Sequence, residues 1–423
     1  MALLASGVSI LAQGSAAGPS DDAIARILQN TASPAGQATT DPIVMGARIG
    51  EHADRTRFVV ELSDPIAMRT FTLTNPDRVV IDMPSVRWHL DGPPRPSGHG
   101  AVKSYRYGMF RPGNSRFVID LNQPVTVDDP LVLPPEGGYG YRVVIDLFPT
   151  TQAKFDRTAG WPSDLMARER AAEVASLPKA PPAQTALKKV IVIDPGHGGI
   201  DSGTVSPDDT MEKDIVLAEG LRLRSALEAR GYTVHMTRNT DVFIPLRERV
   251  NIARAWHADL FISLHADSIH DPELSGLSVY TLSEKGSDKE AAALAARENR
   301  ADVIAGVDLS GDNSDVAPIL IDLAQRDTMN KSSHFAETAL AELSHATDIL
   351  PRQPHRSGAL VVLKAPDVPA VLIELGYLSN LHDEKQMKSS AWRDRVAASI
   401  AAAVDRQFVT TAAAGPEAIQ SLQ

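Results

Sequence analysis

Two stretches of this chain say the same thing twice. TRFVVELSDPI, from Thr56 to Ile66, returns as SRFVIDLNQPV, from Ser115 to Val125. DRVVIDMPS, from Asp77 to Ser85, returns as YRVVIDLFP, from Tyr141 to Pro149. This echo constrains the fold more than any other feature, because each copy builds the same local unit and must bury its apolar face against something. Val and Ile alternate with charged residues along both copies, the period of half-buried strands. Two repeats of strand, turn and strand predict an all-β sandwich of two similar sheets over residues 42–150. No cluster of His, Asp and Ser stands in that region, and His52, His89 and His99 fall in irregular stretches, so it reads as a binding module.

The period then changes. Residues 151–188 are charged, Ala-rich and finally broken by PKAPPAQ, where proline removes a donor and clashes with the preceding turn. They read as a partly extended linker. From Lys189 onward, apolar runs (KVIVI, YTVHMT, DLFISLH, LSVYTL, PAVLIEL) alternate with helical patterns. Val216, Leu223 and Leu227 share one helix face that ends at Gly231; Leu246, Val250 and Ala253 share another that begins after Pro245. Strands alternating with helices predict an α/β domain over 189–410 with a mostly parallel sheet covered by helices.

In such sheets ligands gather at the carboxyl ends of strands. His197 follows KVIVI within IDPGHGGIDSG, His265 ends DLFISLH, and Glu374 ends PAVLIE; Glu212 stands just before the first helix, where it can face the same edge. Two imidazoles and a carboxylate suit Zn²⁺ with a fourth position left for water, and a further carboxylate can take a proton from that water. Asp194 and Asp267 are placed either to orient ligands or simply to make turns. Arg249 reads either as a contact for substrate carboxylates or as a solvated helix residue. A phosphate-cradling loop is the rival reading of the Gly-rich segment, but DPGHGG lacks both the G-x-G-x-x-G order and a G-K-[ST] lysine. His235, inside a strand, reads as structural.

Composition narrows the classes. The 423 residues carry a net charge of −11 and no cysteine. Thiolate metal sites, cysteine nucleophiles and disulfides are excluded, and no basic stripe marks a nucleic-acid partner. The apolar, small-residue start MALLASGVSILAQGSAAG reads as the remnant of a secretory signal over 1–18 that lacks its basic region, followed by a flexible leader over 19–41. Beyond it no stretch reaches the ~18 apolar residues of a membrane span. Residues 411–423 read as a flexible tail.

VIDPGHGG, EKDIVL, FISLHAD, VYTLSEKG and VLKAPDVPAVLIELGYLSN closely resemble the zinc-dependent N-acetylmuramoyl-L-alanine amidases. The repeated RFVVEL and RVVIDM layout resembles the AMIN domain, which attaches cell-wall enzymes to peptidoglycan. The resemblance implies one Zn²⁺ per catalytic domain, held by His197, Glu212 and His265, with Glu374 as the catalytic glutamate. Family knowledge, not spacing, separates ligand Glu212 from base Glu374. It further implies a periplasmic enzyme of cell division that cuts between N-acetylmuramic acid and L-alanine, with a LytM-type activator as partner. Two other functions stay open at this stage: an idle wall-binding protein, and a metallopeptidase that cuts between amino acids.

One segment exceeds what an α/β hydrolase needs. Residues 287–327 replace a connection that usually takes 2 to ~6 residues. SDKEAAALAARENRADVIAG predicts a helix capped by Ser287. The resemblance implies a regulatory helix that blocks the zinc cleft; an acidic side chain on it could fill the open metal position, with Glu298 the first candidate and Glu290 the second, or both are simply solvated helix carboxylates.

Overall fold

The computed structural model describes residues 41–90, 98–165, 188–269, 271–307 and 318–413. The expected signal, residues 19–40 of the leader and residues 414–423 of the tail lie outside these residues, while residues 411–413 of the expected tail close the last helix.

The N-terminal half is an all-β sandwich. Its strands are β1 (Ile43–Glu51), β2 (Thr56–Leu62), β3 (Arg69–Leu73), β4 (Arg78–Pro84), β5 (Arg87–Trp88), β6 (Val102–Arg111), β7 (Asn114–Leu121), β8 (Val125–Val127), β9 (Leu131–Leu133) and β10 (Tyr141–Pro149). One sheet runs β5-β1-β2-β10-β8, with β9 also on β10; the other runs β3-β4-β7-β6. Alternation does the sorting: Phe58, Val60 and Leu62 of β2 and Phe117 and Ile119 of β7 point into one shared core with Ile81 and Ile145.

The two similar sheets are present, but neither is made by one repeat alone. The repeats exchange strands. β2 of the first copy pairs with β10 of the second, while β4 of the first pairs with β7 of the second. The outer edges correspond as well: β1 and β6 bear the similar runs ARIG (Ala47 to Gly50) and YRYG (Tyr105 to Gly108), and each has a bulge at the same place. Each outer face therefore carries the same arginine triad, Arg48, Arg57 and Arg142 on one sheet and Arg106, Arg116 and Arg78 on the other.

The expected linker begins as part of the sandwich. α1 (Gln152–Thr158) is capped by Thr151 and buries Phe155 in the sandwich core. Trp161 then packs on Phe71 and Phe110. Residues 166–187 lie outside the described part.

The C-terminal half comprises β11 (Val190–Pro195), α2 (Glu212–Ala229), β12 (Thr233–Met236), α3 (Leu246–Ala255), β13 (Leu260–His265), β14 (Ser278–Leu282), α4 (Lys289–Glu298), α5 (Ala301–Ile304), α6 (Pro318–Leu343), β15 (His355–Gly358), β16 (Ala370–Glu374), α7 (Leu381–Lys388) and α8 (Ser390–Ala413). Its sheet runs β12-β11-β13-β16-β14-β15 and is parallel except between β14 and β16. Val216, Leu223 and Leu227 of α2, with Phe335 of α6 and Trp392 and Ile400 of α8, cover one face. α3 and α4 cover the other, in a core that continues through Phe71, Phe110 and Trp161 of the sandwich. The two halves thus share buried apolar surface.

The inserted segment differs from its expected form in two ways. Its cap is Asp288, whose carboxylate accepts from the Ala291 N–H, not Ser287. The helix also stops at Glu298 instead of running on: the Asn299 side chain leaves for Ala359 O and Val361 N–H, and a separate turn, α5, follows. ILIDLAQRDTM, from Ile319 to Met329, lies in one continuous helix, α6. Residues 308–317 between α5 and α6 are not described.

Candidate metal centre

β11, β13 and β16 are adjacent and in register, so their carboxyl ends form one edge, with His265 opposite Glu374. His197 lies just past β11 in a left-handed conformation, φ 57°. That conformation is uncommon for a non-glycine residue and is held here by its surroundings. Two buried arginines grip the loop: Arg238 donates to Pro195 O and Gly196 O, and Arg249 donates to Pro195 O and His197 O. At Gly203, φ 63°, a Cβ would lie 2.6 Å from Glu212 Oε2 and 2.7 Å from His197 Cδ2, so only glycine lets the loop close over both.

His197, Glu212 and His265 converge, all buried, with one donor atom of each within 4.8 Å of the others. Glu212 Oε1 is 3.1 Å from His197 Nε2 and 3.2 Å from His265 Nδ1. Backbone N–H groups fix that carboxylate: Ala266 donates to Oε1 and Thr204 to Oε2. His197 Nδ1 is occupied by Asp201, at 2.8 Å, which aims Nε2 at the cluster. His197 Nε2 is buried and makes no hydrogen bond. A buried ring nitrogen without a hydrogen bond, facing an imidazole and a fixed carboxylate, fits a borderline-soft divalent cation such as Zn²⁺.

Glu298 enters this cluster from α4. Its Oε2 lies 3.0 Å from His265 Nδ1 and 3.4 Å from His197 Nε2. Arg297 beside it pairs with Asp267. Glu290, in the first turn of the same helix, is exposed and does not reach the cluster. The remaining cleft, about 190 Å³, is walled by His197, Thr204, Asp267, Arg297, Arg300 and Ile304 among others.

Burial alone would lower both imidazoles. The carboxylates Glu212, Asp201 and Glu298 instead hold His197 well above its ordinary value, and Glu298 and Glu212 raise His265 to about 10. Glu212 is driven well below the carboxylate range, against its burial, by the two histidines. Glu374 goes the other way. Burial raises it well above the ordinary value, and Asp267, Glu212 and Glu298 add to that. Its Oε2 accepts from the Asp267 N–H, while Oε1 is buried without a hydrogen bond. Two carboxylates on one edge thus have opposite acidities, the arrangement that separates a ligand from a proton carrier.

Other residues land differently from their sequence reading. Arg249 is neither solvated nor open to substrate: it is 1% exposed and pairs with Asp194 at 2.8 Å. Asp194 also accepts from Thr237 and Ser263, so it supports the loop through Arg249 and touches no histidine. His235 stacks on Trp256. The sequence reading passed over Asp201, though it stands four residues after His197 in the same quoted stretch, and over Arg297 beside Glu298.

Residues 191–406 match the family model for N-acetylmuramoyl-L-alanine amidase, and residues 28–133 match the AMIN domain. The N-acetylmuramoyl-L-alanine amidase AmiC of Neisseria meningitidis serogroup B is 36% identical over 395 residues, covering 91% of this chain and 94% of that protein. AmiC of Escherichia coli O6:H1 is 36% identical over 381 residues, covering 86% and 89%. AmiA of Escherichia coli K12 is 39% identical over 222 residues, covering 52% of this chain and 76% of that protein. The chain belongs to the N-acetylmuramoyl-L-alanine amidase family and is an enzyme that cleaves peptidoglycan. Among the described residues no helix is long and apolar enough to cross a membrane.

Proposed function

We propose that this amidase is zinc-dependent, acts in the periplasm on septal peptidoglycan during daughter-cell separation, and rests in an autoinhibited state until a LytM-type activator releases it. The convergence of His197, Glu212 and His265, with Glu298 lodged between the histidines, carries this reading. His197, Glu212 and His265 would hold one Zn²⁺. When bound, the ion supplies Lewis acidity, polarising the amide carbonyl and acidifying water. Glu374 is then the base: it takes the proton of the attacking water at a carboxylate oxygen and returns it to the departing L-alanine amine. Its raised pKa suits both halves of that transfer. Asp201 orients the His197 ring, and Arg238 and Arg249 hold the carbonyls of its loop.

Glu298 supplies a carboxylate oxygen where water would otherwise enter, and Arg297 locks the helix down on Asp267. Substrate and α4 compete for the same cleft, so activity requires α4 to leave. The sandwich, joined to the catalytic half, is the peptidoglycan-binding module.

A digest of purified peptidoglycan tests the reaction. Mass analysis should find free stem peptides and unpeptidated glycan, and a chelator should stop their release. Shortened stems still attached to sugar would identify a peptidase instead.

A further inference from the structure

The sandwich has an outer face that is not free. Its β4, β6 and β7 turn three arginines toward α5, and each donates to a backbone carbonyl there. Arg78 donates through Nη1 to Val303 O. Arg106 Nε donates to Ile304 O at 2.7 Å, and Arg116 Nη1 donates to Ala305 O at 3.0 Å and to Gly306 O at 3.3 Å. Trp161 adds its indole N–H to Gly306 O at 3.2 Å. Four consecutive carbonyls at the end of the α4–α5 segment thus all accept from the other half of the protein, and of these Val303 O also accepts from the Gly306 N–H.

Arg116 is the centre of this contact. It is 1% exposed, paired through both arms with Asp82, and its guanidinium lies 3.6 Å from the Phe110 ring centroid. The fork is therefore fixed before α5 arrives, so little freedom is lost when it bonds the carbonyls. Gly306, φ 73°, closes the contact: a Cβ there would sit 3.2 Å from Val80 and 3.3 Å from Val118.

The repeat provides an internal control. The other sheet carries the corresponding triad, and its arginines serve only their own sheet: Arg57 pairs with Asp146 and is 33% exposed, Arg48 reaches Glu61, and Arg48 and Arg142 lie beside the Tyr139 ring. Against α5 two of the three, Arg78 and Arg116, are buried; in the other triad none is.

We infer that the sandwich has a second function besides wall attachment: through Arg78, Arg106, Arg116 and Trp161 it latches the α4–α5 segment onto the zinc cleft. The latch rests on the reading of Glu298 as the plug. It fastens the segment at the carbonyls of Val303 to Gly306, five to eight residues after Glu298, so whatever loosens the sandwich from α5 also loosens the plug.

Hydrogen exchange and dye release from labelled peptidoglycan, on the full-length protein at equal zinc occupancy, test this. Arg106→Gln combined with Trp161→Phe removes two donors and keeps the ring; Arg116→Lys is a second variant, because truncating Arg116 would strand Asp82. Amide exchange across Lys289 to Gly306 should speed about tenfold in the double variant, and dye release should rise several-fold. Arg48→Gln, on the equivalent sheet, should change neither. The latch is overturned if exchange in that segment is unchanged while the sandwich keeps its own protection. Faster exchange with unchanged dye release would keep the latch and refute the plug; faster release in Glu298→Ala alone, with the latch variants silent in both readouts, would keep the plug and refute the latch.

Discussion

The candidate metal edge and the helix that covers it are built on opposite principles. The edge is made by strand ends: His265 and Glu374 are paired across β13 and β16, Glu212 accepts two backbone N–H bonds, and the His197 loop hangs from two buried arginines. The cover has no sheet of its own. α4 and α5 are fixed by their own side chains reaching out, Arg297 to Asp267, Asn299 to the Ala359–Val361 backbone and the Asp302 carboxylate to the Leu246 N–H, and by the sandwich arginines reaching in to α5. Each such bond is worth ~0.5–1.5 kcal/mol. The edge is integral and the cover is fastened, which is what a chain needs if one part must stay and the other must leave.

The comparison breaks first at the edge. His197→Ala or His265→Ala should abolish zinc binding and hydrolysis together, measured by metal content and dye release. Glu374→Ala should retain zinc yet lose turnover by ~10²–10⁴-fold, the usual contribution of general acid–base catalysis. A Glu374→Ala enzyme that keeps near-normal hydrolysis assigns the base wrongly.

On the cover the sign reverses. Arg297→Ala removes the pair with Asp267 and should raise dye release by a few-fold, because Arg297 is part-exposed and such pairs are modest. A loss of activity would mean that Arg297 serves the reaction and not the closed state.

A pH-dependent effect probes how rigid the edge is. α2 carries a second buried carboxyl, Glu219, two turns after Glu212, with neither oxygen hydrogen-bonded. Burial raises it to about 8, Arg393 and Arg222 offsetting only part. A carboxyl raised on folding contributes stability below the unfolded value, near 4.5, and loses it as pH rises through about 8. Glu219→Gln should therefore match wild type at pH 4 and become more stable by ~1–4 kcal/mol at pH 9, at about 1.4 kcal/mol per unit. Chemical denaturation at the two pH values measures it; equal stability at both would mean that α2 opens to admit water.

The edge was the legible part of the sequence. Strand-ending His265 and Glu374, and His197 in its glycine loop, could be placed before any coordinates, since apolar runs fix where strands stop. The strands of the sandwich were equally plain, but not their partners: alternation tells which way a side chain points, and nothing local tells that β2 leaves its own repeat for β10. Arg249 misled because its helix position is ordinary and its burial depends on Asp194, fifty-five residues earlier. Of the two glutamates considered for the plug, only Glu298 lies on the inward face of α4, a distinction the Ala-rich pattern does not make. The grip of the sandwich on α5 spans up to 225 residues, and no periodicity reports it.

The central claim is that Glu298 keeps the metal centre closed. The most direct measurement is the rate of dye release from labelled peptidoglycan by full-length wild type and Glu298→Ala, each with one zinc bound. The account predicts that the variant is faster, by about tenfold for a fastening worth ~1.4 kcal/mol. Equal rates, or a slower variant that remains folded and zinc-loaded, would contradict it.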